Sequence, residues 1–386
     1  MNSSRTDSTS QGPLRIALAA GGTGGHIMPT LALGAALKKA QPDVELLYFS
    51  GRKEQEIRWY GQAGVTPVQL PAAPLSAGIG GKIRAALATL RAVGVARKTL
   101  KAFRPDCLVG LGSYVAGSSI LAAMTLRIPF IIHEQNSVAG KANRWLAGRA
   151  SRIATTYPQA FQEHTNKPVV VTGVPLRQDV LPPGDRAQAR AHFGLDPEVP
   201  VLLVFGASQG ARGLNQALLE FLRNCSSPSD LNWQVLWITG TDKYSSVVSQ
   251  VAEFPCAGKI RLFPFVQEMG MAYAAAEVVV CRASSSSLAE AAAWGLPMIA
   301  VPYLYAAEDH QRHNARYYAA SGAAILLDER ELTAVRLRQE VSKIFEDSAL
   351  RQGMSQAALG LARPQAADEL AQVVLELARS KRKLIN

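Results

Sequence analysis

Two glycine-rich segments carry residue types that could hold a phosphorylated substrate. The first, Gly21-Gly22-Thr23-Gly24-Gly25-His26, follows an apolar run and opens an alanine-rich one. The second, Gly206-Ala207-Ser208-Gln209-Gly210-Ala211-Arg212-Gly213, repeats that layout. Glycines let backbone approach a ligand closely, and the helix that follows offers unpaired N–H groups and a positive dipole end. Neither segment is a GxxxxGK[ST] phosphate loop or a GxGxxG dinucleotide fingerprint. Both remain candidate anion cradles, with close strand–helix packing as the structural alternative. His26 has two readings as well. It is either a structural first-turn histidine or a general base, kept neutral by the helix N-terminus.

A third dense stretch is CRASSSSLAEAAAWGLPMIAVPYLYAAEDHQRHNA, residues 281–315. Four serines at 284–287 supply hydroxyls and N–H donors where a helix begins. Glu290 either closes a Ser-x-x-Glu capping box with Ser287 or accepts hydrogen bonds from two vicinal ribose hydroxyls. His310 and His313 stand three apart without a third ligand, so no metal site is expected. The chain also has no Asp-x-Asp pair. Helix ends and arginine would therefore have to neutralise any diphosphate, and no cofactor is called for.

Short β-rich runs at 15–20, 44–49, 107–111, 129–133 and 152–155, and a strand with a proline-bearing turn around 168–176, must position the first segment. Runs at 200–205, 234–238, 260–263, 278–281, 298–301 and 324–327 must position the others. Each alternates with an Ala/Leu-rich stretch, which predicts an α/β chain of two doubly wound, Rossmann-like domains facing across a cleft. At 386 residues the chain is long enough for two cores. The expected divisions are a disordered tail over 1–13, an N-terminal domain over 14–177, a C-terminal domain over 178–363, and a helix over 364–386. The segment DVLPPGDRAQARAHFGLDPEVP, at 179–200, reads as a linker for its prolines and charge.

No apolar run is long enough to span a bilayer, and the polar first twelve residues lack a signal-peptide core. Cys107, Cys225, Cys256 and Cys281 form no CxxC pair and read as buried thiols. A net charge of +11 favours anionic partners. No basic tract interleaved with aromatics appears, so phosphates and membrane surfaces are expected rather than nucleic acid. Within 80–103, Arg84, Arg91 and Lys98 fall seven apart beside Ile83, Leu87 and Leu90. That stripe is either a solvated helix face or a basic, apolar patch for anionic lipid.

The motifs GGTGGHIMP, HEQNSVAGKANRWLA, TGVPLRQDV, FGASQGARGLNQ and CRASSSSLAEAAAWGLPMIAVP…DHQRHNA occur in order over about residues 14–365. Together they resemble the MurG family, bacterial N-acetylglucosaminyltransferases that make lipid II for peptidoglycan. The resemblance implies a GT-B fold and inverting transfer of GlcNAc from UDP-GlcNAc to the 4-hydroxyl of undecaprenyl-diphospho-muramoyl-pentapeptide, lipid I. It implies the acceptor on the N-terminal domain, the donor on the C-terminal one, and a last helix returning to the N-terminal domain. Work at the cytoplasmic face of the plasma membrane is implied too, with other cell-wall synthesis proteins as potential partners.

By residue, the resemblance gives His26 the base role and sets Thr23, Gly24, Gly25 and Asn136 against the donor sugar. Arg177 and Ser208 fall near the diphosphate and nucleoside, and Val266 reads uracil through its backbone. Ser285, Ser286, Ser287, Leu288, Ala289 and Glu290 wrap ribose and phosphate, and Gln311 meets a GlcNAc hydroxyl. The sequence departs from the family pattern at Gly112-Ser113-Tyr114 and at Ser284–Ser287. Rival readings are a diacylglycerol glycosyltransferase, a non-hydrolysing UDP-GlcNAc 2-epimerase, a non-catalytic sugar-nucleotide sensor and an NAD-linked oxidoreductase. The epimerase would need additional cleft carboxylates and histidines, and the oxidoreductase a fingerprint that neither loop has.

Overall fold

The computed structural model describes residues 12–72, 79–162, 164–206 and 211–385. The first sheet is built from β1 (Arg15–Ala19), β2 (Glu45–Ser50), β3 (Val68–Gln69), β4 (Cys107–Gly110), β5 (Phe130–Glu134), β6 (Arg152–Thr155) and β7 (Val169–Val171). Between them run α1 (Gly24–Ala40), α2 (Glu54–Gln62), α3 (Ile79–Phe103), α4 (Ser113–Thr125) and α5 (Lys141–Ala147). The spatial order is β3-β2-β1-β4-β5-β6-β7, parallel throughout. Helices on both faces of a parallel sheet bury its central strands, which explains the unbroken apolar runs there.

The second sheet follows α6 (Arg186–His192) and contains β8 (Val201–Phe205), β9 (Gln234–Ile238), β10 (Ile260–Phe263), β11 (Val278–Arg282), β12 (Met298–Val301) and β13 (Ala324–Leu326). Its helices are α7 (Arg212–Arg223), α8 (Tyr244–Val251), α9 (Met269–Ala275), α10 (Ser285–Ala293), α11 (His310–Ala320), α12 (Ala334–Glu346) and α13 (Ser348–Leu361). The order β10-β9-β8-β11-β12-β13 repeats the first sheet's winding. In both sheets the first strand made lies at the centre and the order reverses beside it, between β1 and β4 and between β8 and β11. Crevices outside the carboxyl ends of strands at such a reversal are where open α/β sheets bind ligands. The predicted fold class is the observed one.

The linker reading of 179–200 needs correction. Ala189, Phe193 and Leu195 bury themselves in the C-terminal core. Arg190 is buried with them, Nη2 meeting Glu277 Oε1 at 2.5 Å and Nε donating to Ala275 O. A charged segment enters a core when a partner carboxylate neutralises it. The other sequence-predicted strands lie within a residue or two of the observed ones; only the two-residue β3 was not expected.

The last helix, α14 (Ala366–Ile385), leaves the C-terminal domain and packs on α1 and β4. Leu370, Ala371, Val374, Leu375 and Ala378 share a core with Ile16, Leu18, Leu33 and Val109. At its end Arg382 forms two hydrogen bonds to Asp106, Nε to Oδ1 at 2.9 Å and Nη2 to Oδ2 at 2.7 Å. The same guanidinium donates to the carbonyls of Gly12 and Pro13. The end of the expected disordered tail is therefore held in place, while residues 1–11 lie outside the described residues. All four cysteines are free and buried, as expected.

Candidate active site

His26 is the third residue of α1, which begins immediately beyond β1. Its imidazole is covered by the turn after β4. A Cβ placed on Gly112 would lie 2.7 Å from both Cε1 and Nδ1 of the ring, and Gly112 has φ +103°. Only glycine meets both demands, conformational and steric, at that position. Gly22, at φ +86°, faces Ser113 of the same turn. The glycine segments after β1 and β4 thus form one surface, with the N-termini of two long helices directed at it.

Among the described residues Nδ1 of His26 is buried without a hydrogen-bond partner, although the Leu111 carbonyl and the Gln135 side chain lie beside the ring. The pKa of His26 is lowered, first by burial and then by His310, against the opposing influence of Glu134 and neighbouring hydrogen bonds. Burial replaces the helix dipole as the leading cause of the neutral ring that the sequence suggested. His133, fully enclosed, is pushed down to about 4 by burial and holds Gly173 O through Nε2 at 2.9 Å.

The HEQN motif ends β5 and turns towards the second domain. Glu134 is buried and organises this turn, accepting from the backbone N–H of Asn136 and of Gly140 and from the side-chain amide of Asn143. Gln135 Nε2 donates to Leu111 O at 3.2 Å, and its own carbonyl accepts from Ser285 Oγ of the C-terminal domain. Asn136 Oδ1 accepts from Asn314 Nδ2 at 3.2 Å. Asn314 Oδ1 in turn accepts from Ser137 N and Oγ, both at 2.9 Å. Arg144 and Glu308 add an ion pair at 2.6 Å across the same junction. Tyr157, from the turn after β6, sits in the C-terminal core with its ring edge-on to Tyr317. The two domains are therefore joined beside His26 by buried, paired polar groups.

On the C-terminal side, the capping reading of Glu290 is overturned. Ser284 is the N-cap of α10, accepting from Ser287 N at 3.2 Å. Glu290 instead accepts from Tyr273 Oη at 2.7 Å. Burial raises the Glu290 pKa to about 7, while Tyr273 and Arg177 pull it down. Arg177 itself pairs with Asp179 at 3.2 Å. Val266 lines a cavity of about 310 Å³ with His192, Phe193, Phe263, Phe265, Gln267 and Glu268. Gln311 Oε1 is taken by Tyr303 N at 2.9 Å, which turns its amide into a fixed group.

The remaining expected positions divide by exposure. Thr23 and Gly25 are exposed and Gly24 partly so, beside His26. Ser285 is committed to Gln135 and to Tyr157 Oη at 3.4 Å. Ser286, Ser287 and Ala289 are part-exposed. Leu288 lies fully inside the core, leaving only its backbone for a ligand. Ser208 falls outside the described residues. Asn314, Gln135 and Tyr273 were not singled out from the sequence. Asn314 stood in the quoted HQRHNA run, but nothing local marked its partner on the other domain.

Chemically, the arrangement offers a shielded imidazole on one domain and, on the other, a carboxylate near an arginine and an aromatic-lined cavity. Among the described residues no three His, Cys, Asp or Glu side chains gather into a metal-holding cluster.

Residues 16–155 match the glycosyltransferase family 28 N-terminal domain and residues 201–370 the family's C-terminal domain. A relative from Moorella thermoacetica, named UDP-N-acetylglucosamine--N-acetylmuramyl-(pentapeptide) pyrophosphoryl-undecaprenol N-acetylglucosamine transferase, is 38% identical over 95% of this chain and 100% of its own. One from Listeria monocytogenes with the same name is 34% identical over 94% and 99%. The crystal structure of Acinetobacter baumannii MurG superposes with a TM-score of 0.74 at 26% identity, covering 95% of this chain and 100% of that one. A Neisseria meningitidis UDP-GlcNAc 2-epimerase superposes at 0.66 with 13% identity, covering 94% and 100%, a likeness of fold alone.

Proposed function

The chain belongs to glycosyltransferase family 28, among the MurG N-acetylglucosaminyltransferases, and on that premise we propose that it transfers GlcNAc from UDP-GlcNAc to lipid I, giving lipid II. The observation that carries this reading is similarity to named transferases over 95% of the chain. The fold alone would suit the epimerase equally, since its TM-score is close to that of the transferase.

In the proposed reaction, the muramoyl 4-hydroxyl attacks C1 of GlcNAc while His26 Nε2 takes its proton. The C1–O bond to the β-phosphate breaks with inversion, and UDP leaves. For Nε2 to accept, the ring proton must sit on Nδ1, the nitrogen that the fold buries. The glycine turns after β1 and β4, with their helix N-termini, suit the acceptor diphosphate. Arg177 and the start of α7 suit the donor diphosphate, where charge grows as UDP departs. Glu290 reads the ribose, the Val266 cavity takes uracil, and Asn136 with Gln311 holds the sugar. The paired junction around Asn314 supports the sugar-facing side chains, so that alcohol and anomeric carbon meet in a fixed geometry.

The acceptor is a lipid, and α3 has the surface to approach one. Ile83, Leu87 and Leu90 are 57%, 51% and 67% exposed, with Arg84, Arg91 and Lys98 exposed around them. Among the described residues no helix is long and apolar enough to cross a membrane. A peripheral association with anionic lipid at the cytoplasmic face follows as part of the proposal.

The decisive experiment follows radiolabel from UDP-GlcNAc into a lipid I analogue, with diacylglycerol as competing acceptor. Transfer to lipid I supports the proposal. Label in diacylglycerol alone, or conversion of UDP-GlcNAc to UDP-ManNAc without transfer, overturns it in favour of a rival.

A further inference from the structure

Glu290 has one hydrogen-bond partner among the described residues, the hydroxyl of Tyr273 at 2.7 Å. When ionised, the carboxylate only accepts and the phenol donates, so in that form the bond runs from Tyr273 to Glu290. Tyr273 is fully buried, and burial raises its own pKa well above the ordinary value. The phenol therefore keeps the proton that it donates. Its ring stands edge-on to Phe205 at 6.0 Å, at the end of β8. Tyr273 also lies on α9, the helix that begins three residues beyond Val266. One short segment thus lines the aromatic cavity and delivers a rigid hydroxyl behind the carboxylate.

A free glutamate rotates broadly about its last torsion and loses side-chain freedom on being fixed. The Tyr273 bond fixes it before any ligand arrives. It uses one lone pair of Oε2, which leaves the other pair and all of Oε1 for two vicinal hydroxyls. Accepting Glu290 as the ribose acceptor, we infer that Tyr273 is the positioning residue for donor recognition, orienting Glu290 so that a ribonucleotide is preferred over its 2′-deoxy analogue. The groups facing Glu290 are Tyr273 on α9, Arg177 and Asp179 from the inter-domain segment, and Cys281 on β11. Of these, Tyr273 alone hydrogen-bonds it in the structure.

The test is steady-state kinetics with UDP-GlcNAc and its 2′-deoxyribose analogue on the full chain, Tyr273→Phe, Glu290→Gln and the double variant. Tyr273→Phe is expected to raise the KM for UDP-GlcNAc about tenfold, in line with loss of a charge-assisted hydrogen bond. Its kcat and lipid I KM stay within about twofold, and its preference for the ribose donor shrinks. In the Glu290→Gln background the same change costs less than about twofold, because an uncharged amide at 290 no longer draws a charge-assisted bond from the phenol. With Tyr273→Phe alone, the acid limb in kcat/KM for the donor moves to higher pH, since a bond favouring the ionised carboxyl is gone.

Equal loss with both donors, or a cost that persists in the Glu290→Gln background, overturns the inference and leaves Tyr273 as core packing. If Glu290→Gln itself keeps the full preference for the ribose donor, the ribose role of Glu290 fails and takes the inference with it. Should Tyr273→Phe lose its cooperative unfolding transition, 3-fluorotyrosine at 273 replaces it. The stronger donor should lower the donor KM, and an unchanged or higher KM counts against the inference.

Discussion

Asn314 Nδ2 donates to Asn136 Oδ1 at 3.2 Å, joining α11 in one domain to the HEQN turn in the other. Asn314 is fully buried, and its remaining groups hold Ser137 and the Ala283 carbonyl. Replacing it with alanine leaves Ser137 N and Ala283 O without partners, a cost of about 1–3 kcal/mol for each group that water cannot reach. Asn314→Ala should therefore lower stability in urea titration and also raise the donor KM, because Asn136 loses its support. Normal stability and kinetics together would show that the junction has no role.

His26 tests the chemistry itself. His26→Ala should reduce kcat by about 10²–10⁴-fold, the usual share of a general base, with both KM values little changed. Near-normal turnover would remove His26 from the base role. The base acts when neutral and its pKa is lowered. The acid limb of kcat should therefore lie below pH 6.5, with activity lost as pH falls through it.

Glu290 predicts a conflict between stability and binding. Its pKa is raised to about 7 by burial, so the folded chain holds that proton more tightly than the unfolded chain does. Stability from this group is full below the unfolded-state pKa and declines as pH rises towards about 7. Glu290→Gln should unfold at higher denaturant than the parent above pH 7 yet bind donor more weakly. Denaturation and donor KM measured across pH check both halves. A variant less stable than the parent at pH 8 would contradict the assignment.

The α3 surface can be tested apart from catalysis. Each of Arg84, Arg91 and Lys98 should add about 1 kcal/mol of attraction to an anionic bilayer. Charge reversal at all three should abolish co-sedimentation with phosphatidylglycerol vesicles at moderate salt. Transfer to a water-soluble acceptor analogue should persist. Binding that ignores both salt and lipid charge would sink the docking role.

How far the sequence was legible depended on the range of the interactions. The turns after β1 and β11 could be read because glycine or serine clusters stand directly between an apolar run and a helix. β3 could not, since two residues carry no alternation. α6 read as linker for the prolines and charge around it, and the burial of Arg190 depends on Glu277, far along the chain. The same limit hid Asn314, whose partner Asn136 is 178 residues away. Tyr273 drew no notice in the sequence, because its meaning lies in one bond to the next helix. Glu290 was resolved only when Ser284 proved to cap α10 in its place.

The α14 cover has a consequence for how the protein is made. The first sheet is complete at β7, yet the apolar face that receives Leu370, Val374 and Leu375 stays open until the second domain has been synthesised. At about 5–20 residues per second a ribosome needs on the order of 10 s or more to reach α14. Throughout that interval the nascent first domain exposes an adhesive surface that only its own distant segment fits.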